Sequence, residues 1–382
     1  MSVTVASTPA ADGFRMPGEF GPHAGCWMAW PERGDLWRLQ AGPAQEAFAA
    51  VAEAIAVSEP VTMGVSDRLF ESCRAALGPS IRVVELSTDD AWMRDAGPTF
   101  VLDGRGRRRG VDWHFNAWGG LEGGLYHPWD RDERVAAKVL ELEGADRYRA
   151  PLVLEGGSIH CDGEGTVLTT EECLLNRNRN PRLGREQIER LLLEYLGAER
   201  VVWLGRGLPE DETDGHVDNL ACFVSPGRVL LSWSEDPEDP MSEVSRDAEE
   251  RLRAATDARG RAFEIVRIPS PGPLYLQEAE AITMRPSDGV RRRPAGERLG
   301  ASYVNFYPAT DRVVYPLLDE RHDQQAGEIL ASCFPGREVL GVPAREILLG
   351  GGNIHCITQQ VPLLPGAPRT APAGLSADPG SA

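Results

Sequence analysis

Apolar residues recur at three- and four-residue spacing in six stretches of the chain: 43–57, 67–77, 131–143, 185–196, 244–257 and 321–333. That period gathers the apolar positions on one side of a helix, so six amphipathic helices are predicted. Between them lie short runs rich in β-branched and aromatic residues. VTMGV, IRVVEL, TFVL, VDWHF, GTVLTT, RVVWL, ACFV, RVLLSW, FEIVRI, SYVNFY, RVVYPL and REVLGV all read as strands. Strands outnumber helices and the two kinds alternate. The expectation is an α/β chain made of several small units, each a few strands and a helix. No Gly-x-Gly-x-x-Gly run opens a helix after a strand, so nucleotide binding finds little support.

The periodic signal fades at both ends. Residues 1–12 are small and polar, and residues 363–382, LLPGAPRTAPAGLSADPGSA, are dominated by Pro, Ala, Gly and Ser. Both segments are predicted to be disordered, which leaves 13–362 as a single folded domain. RPSDGVRRRPAGE, at 285–297, reads as a polar surface loop.

Composition narrows the function classes. Of 382 residues, 42% are apolar, enough for a substantial core. No run approaches the roughly 18 uninterrupted apolar residues of a membrane span. The first twenty residues lack a basic start followed by an apolar stretch, so no secretory signal is expected. Seven cysteines without dense spacing fit free thiols in a reducing cytoplasm better than a disulfide framework. Acidic residues number 58 against 40 basic ones, a net charge of -18. That balance argues against a nucleic-acid or anionic-membrane partner and is compatible with a small cationic one.

One tripeptide, Ile-His-Cys, occurs twice, each time after a glycine cluster. Aligning LEGGSIHC (154–161) with LGGGNIHC (349–356) sets Glu155 opposite Gly350 and Cys161 opposite Cys356. A second echo is spaced identically: Asp95 stands five residues before Phe100, and Asp218 five before Phe223. If the units repeat, equal offsets put both carboxylates just ahead of equivalent strands, where such positions converge on one face.

Candidate chemistry sits in these stretches. DETDGHVDN, 211–219, has a plain reading as a solvated acidic loop. Were a strand to begin there, His216 and Asp218 would point to the same side, and a histidine beside a carboxylate holds its proton longer, as a general acid must. In WMRDAGP, Asp95 either pairs with Arg94 or caps a turn, with Trp92 in the core, or carboxylate and indole together receive a planar cation. Cys356 is a candidate nucleophile on a glycine-rich turn, although buried thiols are more often inert packing. His160 and His355 adjoin their cysteines in sequence and so face away from them. Cys26, Cys73, Cys173, Cys222 and Cys333 read as core. Without a CxxC or a His-x-x-x-His on a helix, no metal site is expected.

The stretches WMRDAGPTFV, FNAWGG, LEGGSIHCDG, LLNRNRNP, DETDGHVDN, SYVNFY and GGGNIHCITQQVP together resemble agmatine deiminases of the guanidino-group-modifying, or pentein, superfamily. The resemblance runs from about residue 17 to residue 362 and departs only in a longer, more basic 285–297 loop and in the tail, neither expected to touch a motif. It implies a five-unit α/β propeller with pseudo-fivefold symmetry, no cofactor, no metal and a homo-oligomer. It implies agmatine as substrate and Cys356 as nucleophile, with Cys161 as its structural echo. By the same resemblance His216 is the acid and base, Glu155 orients it, Asp95 and Asp218 grip the guanidinium, Trp92 lines the pocket and Glu212 meets the distal amine. The rivals are a deiminase of peptidyl-arginine or another guanidine, an amidinotransferase, and a non-catalytic binding protein. The last would need the nucleophile or the acids to be missing, and all are present.

Overall fold

Parallel strands need a crossover between them, while antiparallel neighbours need only a turn. The chain uses both in a fixed order. A computed structural model describes residues 2–369. After the short β1 (Phe14–Arg15), strands β2 (His23–Ala29), β3 (Val61–Val65) and β4 (Arg82–Glu85) run parallel, linked through helices Gly42–Ala56 and Phe70–Ala76. Then β5 (Thr99–Asp103) turns back antiparallel into β6 (Arg108–His114), and helix Val135–Leu142 leads to β7 (Asp146–Val153), parallel to β6. The same strand, turn, strand, helix, strand sequence follows twice. It gives β8 (His160–Cys161), β9 (Thr166–Thr170), helix Arg185–Leu196 and β10 (Arg200–Leu204), then β11 (Ala221–Ser225), β12 (Arg228–Trp233), helix Met241–Ala254 and β13 (Glu264–Pro269). Next come β14 (Arg312–Leu317), helix Asp323–Cys333 and a parallel β15 (Glu338–Pro343). Finally β16 (Gln359–Pro362) pairs antiparallel with β2, so the last strand completes the first sheet. The described strands fall into five separate sheets.

All six predicted helices are present, each burying its apolar stripe: Phe48, Val51, Ala52 and Ile55 on the first, Ile188, Leu192 and Leu196 on the fourth. No helix among the described residues is long and apolar enough to cross a membrane. Eleven of the twelve predicted strands form. SYVNFY does not: it is turn, and only Tyr307 makes a bridge, to Val314. Its polar side chains take up backbone groups instead, with Ser302 Oγ accepting from Val304 N (3.1 Å) and Asn305 Oδ1 from His355 N (2.9 Å). Strands β2, β7 and β16 lay outside the predicted set, because HAGCWMA, DRYRAPLV and QQVP carry Gly, Arg, Pro or Gln where a strand pattern wants branched residues.

The N-terminal segment is ordered, against expectation. Val5 N donates to Arg147 O and Arg147 N to Val3 O (2.8 and 2.9 Å), so residues 3–5 cover the edge of β7. Thr8 then caps the short helix Pro9–Asp12, its Oγ1 accepting from Ala11 N. Of the predicted disordered tail, residues 370–382 lie outside the described residues, and Leu363 N still donates to Pro22 O (2.9 Å).

One buried carboxylate ties the two ends of the chain together. Glu59, 1% exposed, accepts from Tyr307 Oη (2.6 Å), Thr310 N (2.8 Å) and Thr310 Oγ1 (3.0 Å), and lies 3.2 Å from His23 Nδ1 at the start of β2. Removing it strands a backbone N–H, a phenol and an imidazole in the interior. Glu59→Ala should lower the unfolding free energy by about 2–5 kcal/mol in chemical denaturation; a loss below about 1 kcal/mol would show that Glu59 does not hold the closure.

Candidate active site

The repeated unit explains how distant residues meet. Asp95 ends a short helix, Met93–Ala96, just ahead of β5. Glu155 and the turn Gly156–Ser158 precede β8, and the turn Val217–Asn219, with Asp218 at its centre, precedes β11. Asn305 comes just before Tyr307, which bridges β14, and Cys356 just before β16. Each of the five sheets therefore sends at least one polar residue to the same place. His216 and Asp218 lie on a helical turn rather than at a strand start, so the expected alternation is not what brings them together.

Gly157 marks the meeting point. A Cβ there would lie 2.7 Å from Asp218 Oδ2, 2.7 Å from His216 Nδ1 and 3.0 Å from Asp95 Oδ1. The amide of Gly157 instead donates to Asp95 Oδ1 (2.9 Å), while Trp118 Nε1 donates to Asp95 Oδ2 (2.9 Å). Asp95 therefore neither pairs with Arg94 nor caps its turn; Arg94 Nη1 bonds Glu19 Oε1 (3.0 Å). His216 Nε2 faces Glu155 Oε2 at 3.4 Å, and its Nδ1, 3.9 Å from Asp95 Oδ1, has no hydrogen-bond partner. Cys356 Sγ is 3.7 Å from Asp218 Oδ2 and receives a hydrogen bond from Asn305 Nδ2 (3.1 Å). Asp218 Oδ1, like His216 Nδ1, is buried and unpartnered. Asp218 Oδ1 calls for a hydrogen-bond donor such as a planar cation carries, while the Nδ1–H of a protonated His216 is left free to donate.

Burial and charge divide the protonation states. Burial opposes charge on Glu155, but Arg179 and His216 outweigh it and bring its carboxyl down to about 2. Burial also opposes charge on His216, yet Asp95 and Glu155 hold its pKa well above the ordinary histidine value. Asp218 is lowered despite burial, through its bond to His355 and the charges of His355 and His216. Asp95 is raised by burial and by the carboxylates of Asp218 and Glu155, with His216 pulling the other way. The Cys356 thiol is pushed well up by burial and by Asp218 and Asp95, surroundings that favour SH over thiolate. Cys161 is pushed up to about 12 by burial; it sits at the β8–β9 turn, where its sulfur accepts from Gly163 N.

The residues that brace this set were not singled out from the sequence. Arg179 is fully buried and spans Glu155 Oε1 (2.8 Å), Asp214 Oδ2 (2.6 Å), Trp118 O (2.8 Å) and Thr213 O (2.9 Å). Asn305 holds the Cys356 loop through its amide oxygen, which accepts from His355 N and Cys356 N. Cys173, read as core, also lies against His216. The motifs containing Arg179 and Asn305 were recognised, but nothing in NRNRN says which arginine turns inward, and SYVNFY reads as strand. Trp92 is buried and fixed: its Nε1 donates to Asp90 Oδ2 (2.6 Å), and its ring lies 5.2 Å from that of Trp37, whose Nε1 donates to Asp90 Oδ1 (2.8 Å). Gly350 packs on the Trp37 ring and Gly352 on the Trp92 ring, each so close that a Cβ would clash.

Glu212 is already engaged. Arg293, 6% exposed, donates Nε to both Glu212 oxygens (2.8 and 2.9 Å) and Nη2 to Glu212 Oε2 (2.5 Å) and Gly350 O (2.7 Å). The 285–297 loop therefore touches two motifs, a correction to its reading as a detached surface loop. Its surplus of arginine supplied a partner for a carboxylate that would otherwise stand alone. Among the described residues, two clusters bring groups of metal-ligand type within 4.8 Å of one another: Glu19 with His160 and His355, and Glu155 with Cys173 and His216. In each, a guanidinium already answers the carboxylate, Arg94 in the first and Arg179 in the second.

Known proteins carry the same arrangement of chain. The agmatine deiminase of Ectopseudomonas mendocina is 55% identical over 366 residues, 95% of this chain and 100% of the relative. That of Pseudomonas fluorescens is 56% identical over 361 residues, 94% and 98%. Among solved structures, the agmatine deiminase of Enterococcus faecalis superposes with a TM-score of 0.93 at 48% identity, covering 95% of this chain and all of the other. Residues 15–362 match the family model described as Porphyromonas-type peptidyl-arginine deiminase, and the chain belongs to that family.

Proposed function

We propose that the chain hydrolyses agmatine to N-carbamoylputrescine and ammonia through a covalent intermediate on Cys356. The same reading arranges the five sheets as units of a pseudo-fivefold propeller whose inner loops build the site. The observation that carries it is the convergence of Asp218, Asp95 and His216 around Gly157, with Cys356 against Asp218 and with Asp218 Oδ1 and His216 Nδ1 left without partners. The names of the relatives supply the substrate.

A guanidinium, with a pKa of about 12.5–13.8, enters as a cation, and its N–H groups satisfy Asp218 and Asp95. That charge offsets the two carboxylates that hold the Cys356 proton on, so substrate binding favours the thiolate. The thiolate adds to the guanidinium carbon. The C–N bond to a terminal nitrogen then breaks as His216 gives it a proton, and ammonia leaves. His216, now neutral, takes a proton from water. The hydroxide adds to the same carbon, the C–S bond breaks, and the sulfur departs as thiolate. Glu155, fixed by Arg179, keeps the His216 ring aimed through both halves. Trp92 lines the alkyl portion. Glu212 serves the distal amine, which has to share its carboxylate with Arg293 or displace that side chain. Self-association and a cytoplasmic location belong to the same proposal, resting on the family resemblance and the free thiols.

The test is ammonia release from agmatine, free arginine and a blocked arginine peptide. Turnover confined to agmatine is expected; citrulline formed in the peptide, with agmatine inert, would favour the peptidyl-arginine reading, and a product that needs an added amine would favour amidino transfer. Cys356→Ser should abolish turnover while agmatine still binds by calorimetry, and retained turnover would refute the nucleophile.

Gly157→Ala separates the convergence from general folding. Its backbone is open to alanine, but the added methyl would press on Asp95, His216 and Asp218 together. Turnover should fall by about a thousandfold or more, with less than about 2 kcal/mol lost from stability. Near-parental kcat would mean that those three groups do not act at one point.

A further inference from the structure

The reaction above uses Cys356 from one Ile-His-Cys repeat and no member of the other, and leaves both histidines idle. They lie beneath the site with rings 6.3 Å apart and share one carboxylate, Glu19. His355 Nε2 is 2.8 Å from Glu19 Oε2, and His160 Nε2 is 3.7 Å from the same oxygen. Their other nitrogens differ. His160 Nδ1 accepts from the backbone N–H of Phe223 (3.2 Å), so that nitrogen carries no proton and the ring is neutral. His355 Nδ1 faces Asp218 Oδ2 at 2.9 Å. A carboxylate stands against each nitrogen of His355, and only the doubly protonated ring donates to both.

We propose that His355 is a positioning residue: as an imidazolium clamped between Asp218 and Glu19, it keeps Asp218 anionic and turns its free Oδ1 toward the substrate. The inference rests on the reading that Asp218 grips the guanidinium. Asp218 is 2% exposed and lies against a thiol near Asp95, surroundings that favour its neutral form. His216 gives it some opposing charge, and His355 gives it a direct bond. The other groups facing His355 are Glu19, Arg94 and the neutral His160. Arg94 bonds Glu19 Oε1, and its Nε donates to the His355 carbonyl (3.4 Å). Glu19 thus lies between Arg94 and His355, and its negative charge lets two cations sit close together in the interior. Burial and Arg94 push the His355 pKa down and the two carboxylates push it further up, which agrees with the geometry.

His355→Gln keeps an N–H for Asp218 but removes the charge. The acidic limb of kcat/KM for agmatine should then move up by about one pH unit or more, so the deficit approaches about tenfold on the acidic side of the limb and closes as pH rises. Glu19→Gln should move the limb in the same sense by a smaller amount, and it carries the test if His355→Gln does not fold. A loss equal at every pH, or no loss, would overturn the proposal, since a merely structural defect has no reason to heal with pH. A parent chain inactive on agmatine would refute the proposed function and not this inference. The inference is then read from histidine ring ¹⁵N NMR: both His355 nitrogens protonated at about pH 8 supports it, and a neutral ring overturns it.

Discussion

Charge buried without an opposite charge is the condition this molecule is built around. Asp95, Glu155, Asp218, His216 and Cys356 are nearly all shielded from water, and isolated ions in such surroundings would neutralise or unfold the chain. Pairing makes most of them tolerable: Arg179 serves Glu155, His355 serves Asp218, and Trp118 and the Gly157 amide serve Asp95. The pairing stops short at Asp218 Oδ1 and His216 Nδ1. The other oxygen of Asp218 lies 3.7 Å from the Cys356 thiol, so in the proposed reaction the cation that Asp218 binds also stands beside the sulfur. Affinity and activation then come from one event, because the cation that satisfies the carboxylates also relieves the charge that keeps the thiol protonated.

The fold supports that arrangement by repetition. Each sheet delivers one loop to a common point, the loop before β11 bringing both His216 and Asp218, so no element needs to be long. The cost is that the point exists only if the first and last sheets close. Strand β16, which follows Cys356, completes the sheet begun by β2, and Glu59 ties β2 to the segment after Asn305. Folding of the N-terminal and C-terminal parts of the chain is therefore coupled to the geometry at Cys356.

Much of this was legible in the sequence. Six helices could be read from period alone, because each has a single apolar stripe and a solvated back. Asp95 and Asp218 could be matched because each stands five residues before a Phe-Val pair that lies in a strand, and the resemblance assigned Cys356, His216 and Glu155. The supporting residues were not legible in the same way. Arg179, Asp90 and Glu19 are of types normally found at the surface, and one chain gives no sign that these particular copies are buried. Asn305 was hidden by a strand-like hexapeptide whose polar members satisfy backbone groups instead of forming a ladder. The 285–297 loop reads as polar and detached, yet Arg293 leaves the solvent because Glu212 and the Gly350 carbonyl together offer it a full set of acceptors.

The central claim is that Cys356, and no other of the seven cysteines, forms a bond to the guanidinium carbon once the cation is in place. Acid-quenched turnover followed by peptide mass spectrometry tests it directly. The account predicts that the peptide containing Cys356 alone gains the mass of agmatine less ammonia during turnover and loses it when substrate is exhausted. An adduct on another cysteine, or turnover with no adduct under conditions that preserve a thioether, would contradict it.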